Sequence, residues 1–299
     1  CPPHAGFISP LHFHTPMAAL PALPPSERGA WSVSLDRVRE AIMTMAGKRA
    51  PAVAALYYLT GARLNELVRV PPRPSHRELT AAVGPTLGDV EITTWNGVEV
   101  MVIPIRTLKR KDYVTRVVPV VLDPKYEPLG PIVKEYYLSR LKRAHERVEW
   151  LRARIPRREL AHHPELNANG YPLISRLVPN PWRHEHARRN EPYYAGLSES
   201  EVYYIISALA RYLGAPPRRY ANPLRHLRAT HLVRYYHFLP EELDTFMGWT
   251  HGGMRDRYVS LDYTSFLPKL LVPARPPDTA TEAGGGDQGS SPSPSPSSS

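Results

Sequence analysis

The sequence predicts an α+β fold, mainly helical, with one small antiparallel three-stranded sheet. Three observations lead there. Apolar residues recur at helical spacing through most of the central chain. Asn96-Gly97, a strong hairpin signal, stands between two strand-like runs. A third run, Tyr113 to Val121, is rich in valine and completes a sheet.

The elements follow in order. Ser34 is placed to cap a helix whose apolar positions are Leu35, Val38, Ile42 and Met45. A second helix is expected from about Pro51, a favourable first-turn residue, to Leu59, before Gly61 interrupts it. A third begins near Arg63 and ends before Pro71-Pro72. The strands Asp89 to Trp95 and Val98 to Ile105 flank the hairpin turn, and the second turn, Thr107 to Asp112, is strongly basic. From Pro131 to Ile155 a long charged helix is expected, with Val133, Tyr137, Leu141, Val148, Leu151 and Ile155 on one stripe. Its other faces carry Lys134, Arg140, Lys142, Arg143, Arg147, Arg152 and Arg154. Ser198-Glu199-Ser200-Glu201 reads as a capping box, followed by Val202, Ile205, Ile206 and Leu209 and closed by Gly214.

This divides the 299 residues into a Pro-rich arm (1–33), a folded body (34–272) with a basic helical insertion at about 131–165, and a tail (273–299). The tail is Pro, Gly, Ser and Thr and is expected to be disordered. A hydrophobic fraction of 42% supplies a core, and a net charge of +10 favours polyanionic partners, nucleic acid before an anionic membrane surface. One cysteine excludes an internal disulfide and any Cys-based zinc site, which fits a reducing compartment. No apolar run approaches bilayer-spanning length, and the N-terminal stretch lacks the basic-then-apolar order of a signal peptide. His4, His12 and His14 lack the further ligands a metal site needs, so neither metal nor cofactor is expected.

Three separated pieces need one explanation. Gly61-Ala62-Arg63-Leu64-Asn65-Glu66-Leu67 puts an arginine just after a helix-breaking glycine, with an acid one turn on. Asn222-Pro223-Leu224-Arg225-His226-Leu227-Arg228-Ala229-Thr230 opens a helix. Met247-Gly248-Trp249 is followed nine positions later by Tyr258. Together they resemble the tyrosine recombinase (phage integrase-like) family, related to type IB topoisomerases. The family's boxes read Gly-x-Arg-x-x-Glu-Leu, then His-x-Leu-Arg-His-x-x-Ala-Thr, then Leu-Gly-His/Trp with tyrosine nine residues on. Each box alone is weak, but here all three stand in order, with near-family spacing from Arg225 to Tyr258, and the likeness covers roughly Ser34 to Pro273.

The resemblance implies a tyrosine-recombinase catalytic domain that cuts and rejoins DNA without metal or ATP. Tyr258 would attack the scissile phosphate, giving a 3′-phosphotyrosyl link and a free 5′-hydroxyl. Arg63 and Arg225 would clamp the non-bridging oxygens, since the guanidinium fork stays charged and binds phosphate bidentately. Such fixed donors are worth roughly 3 to 4 kcal/mol of barrier each. Trp249 would donate its indole N–H to the same phosphate. The family's lysine general acid sits on a hairpin turn; counting back from Arg116-Val117-Val118-Pro119 selects Lys111, with Lys109 as runner-up. Glu66 would orient neighbouring residues, and His226 matches a position that packs beside the site. Tyr258 is one of 17 tyrosines, and its rival Tyr263 lacks the nine-residue spacing.

Asn222 departs from the family histidine. It can hydrogen-bond a phosphate but cannot accept a proton at neutral pH, and with Pro223 it also makes a good helix N-cap. Relatives carry a separate DNA-binding domain ahead of the first box, and the residues before Arg63 leave no room for one. Either the basic helix, through Arg140, Arg143 and Arg147, joins Lys109, Arg110 and the arm in gripping DNA, or the chain is a fragment or an internally initiated product. The implied partners are double-stranded DNA and further copies of the chain, a tetramer on paired sites, with no membrane. The implied setting is cytoplasmic and nucleoid-associated, in a prokaryotic cell or virus-infected host. Ser265 to Leu271, with Phe266, Leu267, Leu270 and Leu271 apolar, is suited to docking on a neighbouring protomer or on its own domain. Rival functions are type IB topoisomerase-like relaxation and non-cleaving DNA binding.

Overall fold

The computed structural model describes residues 33–68, 84–107, 115–156, 166–174, 199–215, 222–249 and 262–274. Within them the chain is mixed helix and sheet, mostly helical, with a three-stranded antiparallel sheet in the order β1-β2-β3. Residues 1–32 of the arm, most of the tail, Ser198, Lys109, Arg110, Lys111 and Tyr258 lie outside the described residues.

Helix α1 (Leu35–Met43) starts where Ser34 accepts a hydrogen bond from the Arg37 N–H at 3.3 Å, the expected cap. Helix α2 (Arg49–Thr60) is buried from Pro51 to its end and forms the centre of the core. It stops at Gly61, whose φ of +60° favours glycine. One turn, α3 (Leu64–Leu67), follows at once.

Strands β1 (Glu91–Trp95) and β2 (Val98–Arg106) are joined by Asn96 and Gly97, both at positive φ, the type I′ geometry their identities call for. β2 pairs Ile105 with Arg116 and Arg106 with Thr115 of β3 (Thr115–Val121). Alternation divides the sheet between two apolar clusters. Met101, Ile103, Ile105, Val118 and Val120 enter the main core, while Val100 and Val102 pack with Leu267.

Helix α4 (Gly130–Arg152) contributes Val133, Tyr137, Val148 and Leu151 to the buried side, as its spacing predicts. Arg140 is buried with them at 5% exposure. It stands seven residues after Val133 and four before Ala144, on the core-facing side of the helix. Arg140 therefore does not belong to a solvent-facing DNA grip; Arg143 is exposed and Arg147 half-buried. Helix α5 (Glu199–Tyr212) buries Val202, Ile206 and Leu209 and closes at Gly214, where the Ala215 N–H reaches the Ala210 carbonyl at 2.9 Å.

Helices α6 (Pro223–Tyr236) and α7 (Pro240–Met247) complete the body. A turn at Tyr263–Phe266 and helix α8 (Leu267–Leu270) then fold back on the chain's own domain. Phe266 stacks with Phe238 and meets Phe246 edge-on, and Leu267 and Leu270 are buried. Of the two docking modes open to Ser265–Leu271, the self-docked one is present. Among the described residues, no helix is long and apolar enough to cross a membrane.

Candidate active site

The site begins at the C-terminal end of α2. A Cβ on Gly61 would lie 2.8 Å from the Met247 sulfur, so glycine lets the ends of α2 and α7 approach closely. Two residues later Arg63 caps α3, and Glu66 reaches back to it. One carboxylate oxygen accepts the Arg63 N–H at 2.9 Å, and the other the Arg63 Nη1 at 2.6 Å. The three-residue spacing seen in sequence is thus a capping geometry that fixes the arginine's backbone and head group together.

Glu66 is fully buried and faces three guanidiniums. Besides Arg63, Arg116 Nη2 approaches at 3.5 Å and Arg225 Nη1 at 3.8 Å. The sequence reading missed Arg116. It lies on β3 on the same face as Val118 and Val120, which carries it inward, and only 5% of it is exposed. The available signal was an arginine within a valine-rich run.

Arg116 and Arg225 also cross-brace two helix ends. Arg116 Nη1 donates to the carbonyls of Thr60, at 3.0 Å, and Phe246. Arg225 donates from Nη1 to the Gly61 carbonyl and from Nη2 to the Met247 carbonyl. All four acceptors belong to the C-terminal ends of α2 and α7, where unsatisfied carbonyls carry about half a negative charge per helix. Helix dipoles therefore help to hold two buried cations that share a single carboxylate.

Three guanidiniums against one carboxylate leave a formal charge of +2 in a buried site. Burial holds both Arg116 and Arg225 below the ordinary guanidinium range. Repulsion from Arg116 and Arg63 pushes Arg225 further down, while Glu66 opposes the shift. A bound oxyanion would relieve that excess. Arg63, with 19% of its side chain exposed, is the most accessible of the three. Arg225 keeps three of its five N–H groups beyond the two carbonyl bonds. Trp249 packs its ring 5.6 Å from the Arg225 guanidinium carbon.

Beside this cluster lies a cavity of about 350 Å³ lined by Thr107, Thr115, Arg116, Gly248, Trp249 and Asp262, among others. Thr107 and Thr115 bound the hairpin tip that carries Lys109, Arg110 and Lys111; Trp249 and Asp262 bound the segment that carries Tyr258. Gly248, at φ +65°, is required here. A Cβ on it would meet Thr107 Cγ2 at 2.7 Å and Arg116 Cδ at 2.9 Å. Tyr263 lines the same cavity and packs with the cluster of Val100, Val102 and Leu267.

Two expectations are corrected. Asn222 occupies the N-cap position of α6 and its carbonyl accepts the His226 N–H at 3.2 Å, but its side chain makes no capping hydrogen bond. His226 faces solvent rather than packing beside the site, because it stands one residue, about 100°, round the helix from buried Arg225. Among the described residues, no group of three or more His, Cys, Asp or Glu could hold a metal ion. Comparison of the sequence with models of known protein families and with curated proteins finds no match.

Proposed function

We propose that this chain is a tyrosine-type site-specific DNA recombinase or integrase that cuts and rejoins DNA through a 3′-phosphotyrosyl intermediate on Tyr258. The observation that carries this reading is a convergence. The residues flanking the hairpin tip and those flanking the tyrosine segment line one cavity, beside a buried cluster of formal charge +2. Tyr258 is four residues from Asp262, a tether of at most about 14 Å, and Lys111 is four residues from both Thr107 and Thr115.

In this reaction the Tyr258 phenol gives up its proton to solvent and its oxygen forms a bond to phosphorus as the bond to the 5′ oxygen breaks. Lys111, or Lys109 in its stead, gives the departing oxygen its proton. Arg63 and Arg225 hold the non-bridging oxygens, where charge grows in the transition state, and Trp249 adds its indole N–H. Glu66 keeps Arg63 oriented, with its backbone and head group tied to one carboxylate. The phosphotyrosyl link retains the energy of the broken bond, so a 5′-hydroxyl reseals the strand without ATP. Paired duplex sites held by four copies complete the exchange, in the compartment that contains the DNA.

The test uses a pool of duplexes nicked just 3′ of randomised positions, so that the short 5′-hydroxyl fragment is lost after cutting. Wild type and Tyr263→Phe should form covalent protein–DNA adducts, and Tyr258→Phe should not. No adduct from wild type would leave a non-cleaving DNA-binding protein. Relaxation of supercoiled plasmid without recombinant products would assign a type IB topoisomerase instead.

A further inference from the structure

Resting on that reading of a strand-cutting site, we propose that Arg116 is its positioning residue, a group that touches no DNA and sets where Arg225 and Arg63 stand. The carbonyls held by the two buried arginines come in consecutive pairs. Arg116 takes those of Thr60 and Phe246, and Arg225 takes the next one at each helix end, Gly61 and Met247. The Thr60 carbonyl shares a planar peptide unit with the Gly61 nitrogen, and Phe246 stands in the same relation to Met247. A shift of either Arg116 acceptor therefore carries the neighbouring Arg225 acceptor with it.

The two grips differ in form. Arg116 spends one nitrogen, Nη1, on both of its carbonyls, and its Nη2 lies 3.5 Å from Glu66 Oε2. Arg225 spreads its bonds over Nη1 and Nη2. The plane of the Arg225 guanidinium is thus set by the separation of the Gly61 and Met247 carbonyls, which Arg116 spans one residue earlier. Glu66 Oε2 also accepts the Arg63 backbone N–H at 2.9 Å. Through that one oxygen Arg116 bears on Arg63 as well.

Arg116 is itself held in place. Strand pairing sets its backbone opposite Ile105 of β2. A Cβ on Gly248 would lie 2.9 Å from its Cδ and 3.4 Å from its Nε, so the glycine after Met247 makes room for the side chain. Lysine keeps the charge but not the grip, since its ammonium ends one bond short of Nη1 and lacks the planar fork. A group that only supplied charge would be replaced by lysine; a positioning group would not.

The test compares wild type, Arg116→Lys and Arg116→Met at a temperature where circular dichroism shows each folded; if Arg116→Met does not fold, Arg116→Lys decides alone. Inorganic sulfate is titrated by calorimetry at constant ionic strength, with sodium chloride as the balancing salt. Both variants should bind sulfate about tenfold more weakly or worse, the effect of one lost charge-assisted hydrogen bond. Adduct formation on the nicked duplexes at saturating protein should slow about 100-fold in both, as for a reacting group misplaced by about 1 Å. Duplex affinity should stay that of wild type, because the buried Arg116 does not reach DNA. Wild-type sulfate affinity in Arg116→Lys would reduce the residue to a charge and overturn the inference. A parallel fall in duplex affinity and cutting would mark a general loss of structure and also overturn it, as would a wild type that binds no sulfate. Sulfate binding that depends on Arg116, in a wild type that forms no adduct, supports the inference and removes the strand-cutting reading. Equal adduct rates in all three proteins do the reverse.

Discussion

Replacing Glu66 by glutamine removes one negative charge while keeping the side chain's shape, and it isolates what binds the three arginines together. The carboxylate accepts two charge-assisted or backbone bonds from Arg63, at 2.6 and 2.9 Å, and faces Arg116 and Arg225 at 3.5 and 3.8 Å. Glutamine retains one acceptor oxygen, and its amide N–H₂ must then face either the Arg63 backbone N–H or the Arg63 Nη1, donor against donor. Two buried cations, Arg116 and Arg225, and the half-buried Arg63 are left without their carboxylate. Removing one partner of a buried ion pair costs about 3–5 kcal/mol, a large share of a typical 5–15 kcal/mol total. In urea, with an m-value of roughly 3 kcal/mol/M, the midpoint should fall by about 1 M or more. The gap should narrow in sodium sulfate relative to sodium chloride at equal ionic strength, because an oxyanion can take the place of the lost charge. A Glu66→Gln protein within about 0.5 kcal/mol of wild type in plain buffer would show that the carboxylate does not hold this cluster.

Three further outcomes follow. His231 is buried, with Nε2 donating to the Val33 carbonyl at 2.6 Å, so Nδ1 must accept from the Tyr58 hydroxyl at 2.7 Å. Burial first, and the nearby Arg228, Arg39 and Arg234, push its pKa from 6.5 down to about 4. The unfolded chain binds the extra proton between those values, so stability is full above pH 6.5 and declines by about 3 kcal/mol as pH falls to 4. Urea midpoints across that window should fall more steeply for wild type than for His231→Asn, and parallel curves would contradict it. Gly130→Ala should destabilise by more than about 2 kcal/mol despite alanine's better helix propensity, since its Cβ would lie 2.5 Å from the Val121 carbonyl oxygen and 2.7 Å from Leu122 Cα; a rise in melting temperature would refute that packing. Phe266→Ala should cost about 3–5 kcal/mol in dilute protein, because Phe266 packs between Phe238 and Phe246 of the same chain. A cost that appears only at concentrations where copies associate would move the segment to a neighbour.

Local chemistry made much of this legible. Asn96-Gly97 set the register of β1 on β2, Ser34 and Gly214 bounded their helices, and the three-residue step from Arg63 to Glu66 became a helix cap. What escaped depended on partners distant in sequence. Arg116 is tied to backbone carbonyls 56 and 130 residues away, and carbonyls leave no mark in residue identity. Arg140 was misjudged because its type suggested water, although its seven-residue step from Val133 put it on the core side. Asn222 carries the residue type of a cap at the right position, yet its side chain does not make the bond.

The most direct measurement is to digest the trapped adduct and identify by mass spectrometry the amino acid that carries the nucleotide. The modification is expected on Tyr258, and it should vanish in Arg63→Ala and Arg225→Ala, which lack the donors for the phosphate oxygens. A nucleotide found on Tyr263 or any other side chain, or undiminished labelling of Tyr258 without both arginines, would contradict attack on a phosphate held by that buried cluster.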